Sequence, residues 1–298
     1  MSKRVTVIGG ANVDISANLT EKFLHGDSIP GNVAVGFGGV AHNIALNLAL
    51  LGNDVRFITA FGSDSFGNLA LKHCADEGLD ISLAKQFQDR RNGVYLCIND
   101  LSGDMIAAVA DTDSISEITP EFLSERITEI NSSAAVVIDT NLTTGALQFI
   151  FENCTPPVFI DAVSTTKAKR MVEALCNAKS HGRIILKLNK IEAQVITGEN
   201  DMDAALKSIH EMGVSEIFLT IGADGVICSD QSTISTYPAI PVDVINTTGA
   251  GDAFLAGVVH DFLIGNPFPE TALCGLKAAY ATLLSPSAVN PDIKKFIQ

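Results

Sequence analysis

The segment Asn246-Thr247-Thr248-Gly249-Ala250-Gly251-Asp252-Ala253-Phe254 sets a carboxylate directly behind three residues with little or no side chain. The apolar density from Ala253 to Val259 predicts a mostly buried helix that starts inside this segment. Gly249, Ala250 and Gly251 then leave the first free N–H groups of the helix unobstructed, so an anion can approach the positive end of its dipole. Asp252 falls in the first turn, where the dipole favours the ionised carboxylate and a substrate hydroxyl can lie beside the anion. An anion hole next to a base suits phosphoryl transfer. The bland alternative is a glycine-rich turn followed by an ordinary acidic first-turn residue.

Other chemistry-bearing residues fall where strands are expected to end. Arg4 to Ile8 reads as a buried parallel strand, and Asn12-Val13-Asp14 follows just beyond Gly9-Gly10. Ligands of open α/β sheets bind beyond the carboxyl ends of strands, so Asp14 can meet a polyhydroxy substrate; its alternative is an Asx turn. Gly36-Phe37-Gly38-Gly39-Val40-Ala41-His42-Asn43 leads into a helical run that stops at Gly52. It satisfies Gly-x-Gly-x-x-Ala, but a dinucleotide fingerprint belongs after the first strand and needs an acid at a strand end about 20 residues later. Here Gly38 and Gly39 let a substrate lie against the backbone while Asn43 bonds its hydroxyls. Asn189 and Glu192 stand three apart on one helix face, either as a magnesium site reached through water or as a capping box. Lys167, a few residues past another strand end, either reaches a phosphate or is solvated.

The elements that must position these groups follow a strand–helix rhythm. Strands are expected at 55–60, 135–138, 158–160, 184–186 and 215–220, with helices from about Thr143 and Thr166, and a strand-like run ending at Val244-Ile245 precedes the glycine segment. Asp139-Thr140-Asn141, Asp161-Ala162-Val163-Ser164 and Lys187-Leu188-Asn189 collect a polar rim on one edge. Thr220 to Gly225 turns into Val226-Ile227-Cys228 beside a nucleotide. Residues 15–36 and 93–110 alternate weakly and form a small sheet, as a lid or a dimer surface.

With 298 residues, 47% of them hydrophobic, the chain holds ample material for a core and no linker or repeat to divide it. A net charge of −14 excludes nucleic-acid backbones and anionic membranes as expected partners and favours a small-molecule substrate. The short apolar run after Lys3-Arg4 is not a signal peptide, and no stretch is long enough to span a membrane. Six scattered cysteines without Cys-x-x-Cys spacing read as free thiols in a cytoplasmic protein.

Taken together, Gly38-Gly39-Val40-Ala41-His42-Asn43, Asn189-Lys190-Ile191-Glu192, Thr220 to Gly225 and Gly249-Ala250-Gly251-Asp252 resemble the ribokinase-like (PfkB) carbohydrate kinase family, in order and over nearly the whole chain. The resemblance implies one domain over 1–298, a three-layer α/β/α sandwich with a mostly parallel central sheet and a small β lid. It implies transfer of the γ-phosphate of ATP, with Mg²⁺, to a substrate hydroxyl. By that likeness Asp252 is the general base and Gly249, Ala250 and Gly251 the anion hole. Asn12, Asp14, Gly38, Gly39, Asn43, Asp111, Asn141 and Lys167 hold the acceptor; Asn189, Thr220, Gly222 and Gly225 hold the nucleotide, and Glu192 the metal.

Within the family, Gly10 to Asp14, Ala110 to Asp113, Asp139 to Leu142, Asp161 to Ser164 with Lys167, and Val289-Asn290-Pro291 look like the branch that phosphorylates pseudouridine on its 5′-hydroxyl. Asn246 stands where the family more often has Asp, which bears on a monovalent-cation (K⁺) site there. A homodimer through the lid sheets is the implied assembly. The rival expectations are a family kinase for ribose, a fructose-type sugar, a sugar acid or adenosine, and a regulator that binds nucleosides or nucleotides without turnover.

Overall fold

A computed structural model describes residues 3–297; Met1, Ser2 and Gln298 of the expected 1–298 unit lie outside the described residues. The first half runs β1 (Arg4–Ile8), β2 (Asn12–Leu19), β3 (Gly31–Gly38), α1 (Val40–Leu50), β4 (Asp54–Ile58), β5 (Ala60–Gly62), α2 (Ser65–Asp76), β6 (Lys85–Phe87), β7 (Gly93–Asn99) and β8 (Met105–Asp111). Then come α3 (Pro120–Ser124), α4 (Ile127–Asn131), β9 (Ala135–Asp139), α5 (Thr144–Asn153), β10 (Val158–Asp161), α6 (Thr165–Asn177) and β11 (Ile184–Asn189). The chain continues through α7 (Lys190–Thr197), α8 (Met202–Glu211), β12 (Glu216–Thr220), β13 (Val226–Ser229), β14 (Ile234–Tyr237), α9 (Ala250–Ile264), α10 (Thr271–Leu283) and α11 (Lys294–Ile297).

Eight strands form the central sheet in the order β14-β13-β12-β11-β10-β9-β1-β4. From β4 to β12 every pairing is parallel, and only the pairings β12–β13 and β13–β14, at one edge, are antiparallel. Strand alternation sorts the core into two layers. Ile8, Ile138, Ile160, Leu186 and Leu219 face α3 to α8, whereas Val7, Val137, Phe159, Ile185 and Phe218 face α1, α2, α9 and α10. That is the expected α/β/α sandwich. Because both faces are covered, the strands read as continuous apolar runs, which is why they were visible in the sequence.

The remaining strands give a four-stranded sheet, order β3-β2-β7-β8, and the short pair β5-β6. The four-stranded sheet uses the two segments expected to form it, including the hairpin β7-β8. One alternative falls and two expectations need correction. Asp14 lies within β2, paired opposite Gly36, which removes the alternative of an Asx turn beyond β1. The strand expected over 55–60 stops at Ile58, and Ala60 starts β5, which pairs with β6. Residues 238–245 form no strand: Pro238 and Pro241 remove ladder donors, and Val244 and Ile245 are 52% and 63% exposed. Four of the six free cysteines are buried, and no helix among the described residues is long and apolar enough to cross a membrane.

Candidate active site

The glycine segment does start a helix. Gly249 is the N-cap of α9 with φ +81°, and a Cβ there would stand 2.0 Å from the Ala288 carbonyl oxygen, so only glycine fits this turn. Asp252 lies in the first turn of α9, only 8% exposed, and its Oδ2 accepts from Asn43 Nδ2 at 2.8 Å. Helices α1 and α9 thus bring together two residues 209 positions apart. Burial, reinforced by Asp161 and weakly by Asp139, raises the Asp252 carboxyl to about 7, while the Asn43 hydrogen bond and Lys187 pull the other way. A carboxylate poised there can accept a proton at neutral pH.

Lys187, on β11, is a cation that the sequence offered only as part of the polar rim, beside the Lys167 expected to reach a phosphate. Its Nζ donates to Asp161 Oδ2 at 2.9 Å, with both side chains nearly closed to solvent. Burial works to lower its pKa, but Asp161, Asp252 and Glu192 outweigh it and hold the ammonium above its ordinary value. A Cβ on Gly251 would stand 2.6 Å from Lys187 Nζ, which puts a fixed positive charge against the start of α9. Helix dipole and ammonium therefore present positive potential to the same point. The available signal was a lone lysine inside the apolar run Ile184 to Leu188, a residue type seldom buried without a partner. Asp161 and Asp139 stood out only as strand-end polar residues, because their partners come from other elements.

The residues expected to hold the acceptor come together from β2, the Gly38-Gly39 turn and the end of β9. A Cβ on Gly38 would fall 2.1 Å from Asp14 Oδ2, so the glycine leaves room for this carboxylate. The Asp14 carboxylate has no hydrogen bond or ion pair among the described residues, and burial alone raises it to about 6. Asn12 packs between the turn and β7, with its Oδ1 2.2 Å from where a Cβ of Gly93 would be. Asp139 is buried; its Oδ2 accepts from Ala41 N at 3.0 Å and its Oδ1 from Asn141 N at 2.8 Å. It caps α1 from across the sheet, since Gly39 has no side chain to do so. Burial raises Asp139 to about 6 against those two N–H donors. Lys167 Nζ donates to Asn141 Oδ1 and is half-buried; burial lowers its pKa and Asp139 opposes the fall. Asp111, at the end of β8, is paired with Arg91 at 2.9 Å, and no hydrogen bond among the described residues joins it to Asp14 or Asp252.

On the other side of α9 a cavity of about 650 Å³ is lined by Thr220, Gly222, Gly225, Ala250 and Gly251 and walled by Ile240 and Tyr280, among others. Three of the four expected nucleotide residues thus share this cavity with the start of α9. The fourth, Asn189, pairs in register with Thr220 and caps α7. Both halves of the capping box are present, Asn189 Oδ1 accepting from Glu192 N at 2.9 Å and Glu192 Oε2 from Asn189 N at 2.8 Å. Burial raises the Glu192 pKa, while the Asn189 N–H and Lys187 lower it. The cap leaves Oε1 of this buried carboxylate without a hydrogen bond among the described residues, so capping and metal binding are compatible. No group of three or more His, Cys, Asp or Glu among the described residues can hold a metal alone; Mg²⁺ would take its other ligands from phosphates and water. Asn246 is engaged at both ends, Nδ2 donating to Pro286 O at 3.1 Å and Oδ1 accepting from Thr248 N at 2.9 Å. It ties two loops together.

The fold gathers a buried carboxylate, a fixed ammonium and a helix start beside a cavity of about 650 Å³, an arrangement that suits an ATP-dependent phosphotransferase. Residues 2–295 match the model of the pfkB family of carbohydrate kinases, and the chain belongs to that family. It is 33% identical to pseudouridine kinase of Escherichia coli (strain K12), covering 97% of this chain and 93% of that one. Ribokinase of Haemophilus influenzae is 27% identical, covering 94% and 92%. The structure of Arabidopsis thaliana ribokinase complexed with ribose and ATP superposes with a TM-score of 0.87 at 19% identity, covering 100% and 99%, a likeness of fold.

Proposed function

We propose that this chain transfers the γ-phosphoryl group of ATP to the 5′-hydroxyl of pseudouridine, giving pseudouridine 5′-phosphate and ADP. The observation that carries the chemistry is Asp252, a buried carboxylate between the Gly38–Asn43 turn and the cavity and against the Lys187 ammonium. Support for the nucleoside comes from the likeness to the Escherichia coli pseudouridine kinase over nearly the full length.

Asp14, Asn12 and Asn43 accept from or donate to the sugar hydroxyls, and the unpartnered Asp14 carboxylate finds there the donors it lacks. Asn141 and Lys167 border the same site and set its polar rim. Asp252 takes the proton of the attacking hydroxyl as the O–P bond forms. The N–H groups at Gly249 and Gly251, and that of Ala250, which is held only by a long 3.4 Å bond to Thr247 O, would with Lys187 hold the charge that spreads over the transferred phosphoryl oxygens. Thr220, Gly222 and Gly225 seat the nucleotide, and Glu192, through water, orients the metal. Bound Mg²⁺ would neutralise the phosphate oxygens.

The four-stranded sheet closes the acceptor side and dimerises. One face of it is apolar in register: Val35 opposite Ile15, Ile15 opposite Leu96, Leu96 opposite Val109. Val33, Val35 and Val109 on that face are 69%, 57% and 64% exposed, more apolar surface than a lone sheet leaves in water without a partner.

ADP release with ATP·Mg²⁺ and equal concentrations of pseudouridine, uridine, ribose, fructose and adenosine tests the substrate. Strong preference for pseudouridine is the expected result. Preference for another acceptor would discard the substrate and retain the kinase. No turnover of any acceptor, with ATP still bound, would leave the non-catalytic regulator as the better account.

A further inference from the structure

His42, one residue before Asn43 in the first turn of α1, is 1% exposed and has no place in the chemistry described so far. Its Nδ1 lies 3.3 Å from Asn43 Oδ1, while Asn43 Nδ2 donates to Asp252. Its Nε2 is buried with no hydrogen-bond partner. The ring is held by Phe57 at 6.4 Å and by His73 at 5.2 Å, and His73 stacks on Phe37 of β3 at 4.0 Å with the planes 8° apart.

An asparagine side chain can present either end to a neighbour. Asp252 as a carboxylate accepts only, so Asn43 must turn its nitrogen to it and leave Oδ1 needing a donor. His42 Nδ1–H is the group in reach. We propose that His42 is a positioning residue for Asp252: its Nδ1–H locks the Asn43 amide with the nitrogen, not the oxygen, toward the carboxylate.

The neutral ring suits this role. Burial, helped by nearby His73, takes His42 down to about 4, so one ring nitrogen carries the proton at neutral pH and the other does not. If Nδ1 carries it, the unprotonated Nε2 is the atom left facing apolar surroundings, and a buried polar atom without a partner is unfavourable for stability alone. A purely structural filler would have no need of a nitrogen there. The stack through His73 to Phe37 places the lock next to the strand that carries Gly38, between the acceptor turn and the base.

The inference rests on Asp252 being the base, and the tests separate the two. Nitrogen-15 spectra of the histidines in the unaltered protein read the tautomer without any substrate. The expected state of His42 at pH 7 is the neutral ring protonated on Nδ1; protonation on Nε2 would overturn the proposal even if the kinase reaction holds. The variants His42→Leu, which removes the donor, and His42→Asn, which keeps a nitrogen donor at the same distance along the side chain, are then compared.

His42→Leu should lower kcat by about 10-fold or more, with KM for ATP within about 2-fold, because the loss falls on the base and not on the nucleotide. With the Asn43 oxygen free to face it, the Asp252 carboxylate is disfavoured, and the acid limb of kcat should move up by about one pH unit. Asp161, Asp139 and Lys187 also face Asp252 and are unaltered, so they do not account for the shift. His42→Asn should restore most of kcat and return the limb. A leucine variant with unchanged kcat and limb, or an asparagine variant no better than leucine at equal melting temperature, would refute the lock. Should the leucine variant not fold, the tautomer and the asparagine variant decide.

Discussion

Asp14 carries a prediction that stability and function pull in opposite directions. The carboxylate is half-buried, has no partner among the described residues, and is raised by burial from 3.8 to about 6. A group whose folded pKa lies above its unfolded one favours folding while protonated, and that contribution is lost as pH rises from below 3.8 through about 6. A shift of roughly two units at about 1.36 kcal/mol each is about 3 kcal/mol, and partial solvation reduces it to about 1–2 kcal/mol. Asp14→Asn removes the charge at nearly the same volume. It should therefore stabilise the free protein by about 1–2 kcal/mol at pH 8, with the gain shrinking through pH 6 and vanishing near pH 4. The same substitution should raise KM for the acceptor by about 10²-fold and leave KM for ATP within a few-fold, since acceptor hydroxyls are the donors the carboxylate awaits. Urea unfolding of both proteins across this pH range, with kinetics at pH 8, is the assay. An asparagine variant that is less stable at pH 8, or a gain that does not change with pH, would show that Asp14 has a stabilising partner in the folded state and refute the reasoning.

Lys187→Met should destabilise by about 3–5 kcal/mol, because Asp161 is left as an uncompensated buried charge, and Asp161→Asn in the same chain should recover much of the stability but none of the activity. Urea midpoints and turnover of the single and double variants separate the two effects; full recovery of turnover in the double variant would remove Lys187 from the anion site. Gly249→Ala should cost about 1–3 kcal/mol in unfolding free energy and abolish most turnover, since the turn needs φ near +81° and closes on Ala288; near-normal values for both would mean the helix start can reshape. The acid limb of kcat/KM should fall near pH 7, with activity lost as pH drops and Asp252 is protonated; a profile flat from about pH 5.5 to 8 would reject Asp252 as the base.

Much of the fold was legible because both faces of the central sheet are covered, so its strands are short apolar runs ending in polar residues. The glycine segment was legible because a helix start is a local event. Lys187 was not, because whether a lysine in an apolar run is buried depends on Asp161 and Gly251, which arrive from other elements. Asp139 looked like a rim residue although it caps a helix 98 positions earlier in the chain. The apolar run at 242–245 misled in the other direction: hydrophobic residues after Pro241 suggested a strand, yet no neighbouring ladder receives them. The choice between cap and metal at Glu192 was a false alternative, since one oxygen serves the cap and the other is left over.

The strand order also bears on how the molecule comes into being. β1, made first, lies in the sheet interior between β4 and β9, and Val5 pairs with both Val55 and Ala135. A chain still on the ribosome can join β1 to β4 early, but the opposite edge of β1, flanked by Val5, Val7 and Ile8, has no mate until β9 has emerged. Asp252 and the helix start come later still. The nascent chain therefore carries an open, adhesive strand edge through nearly half of its synthesis, the condition under which chaperones engage and truncated products aggregate.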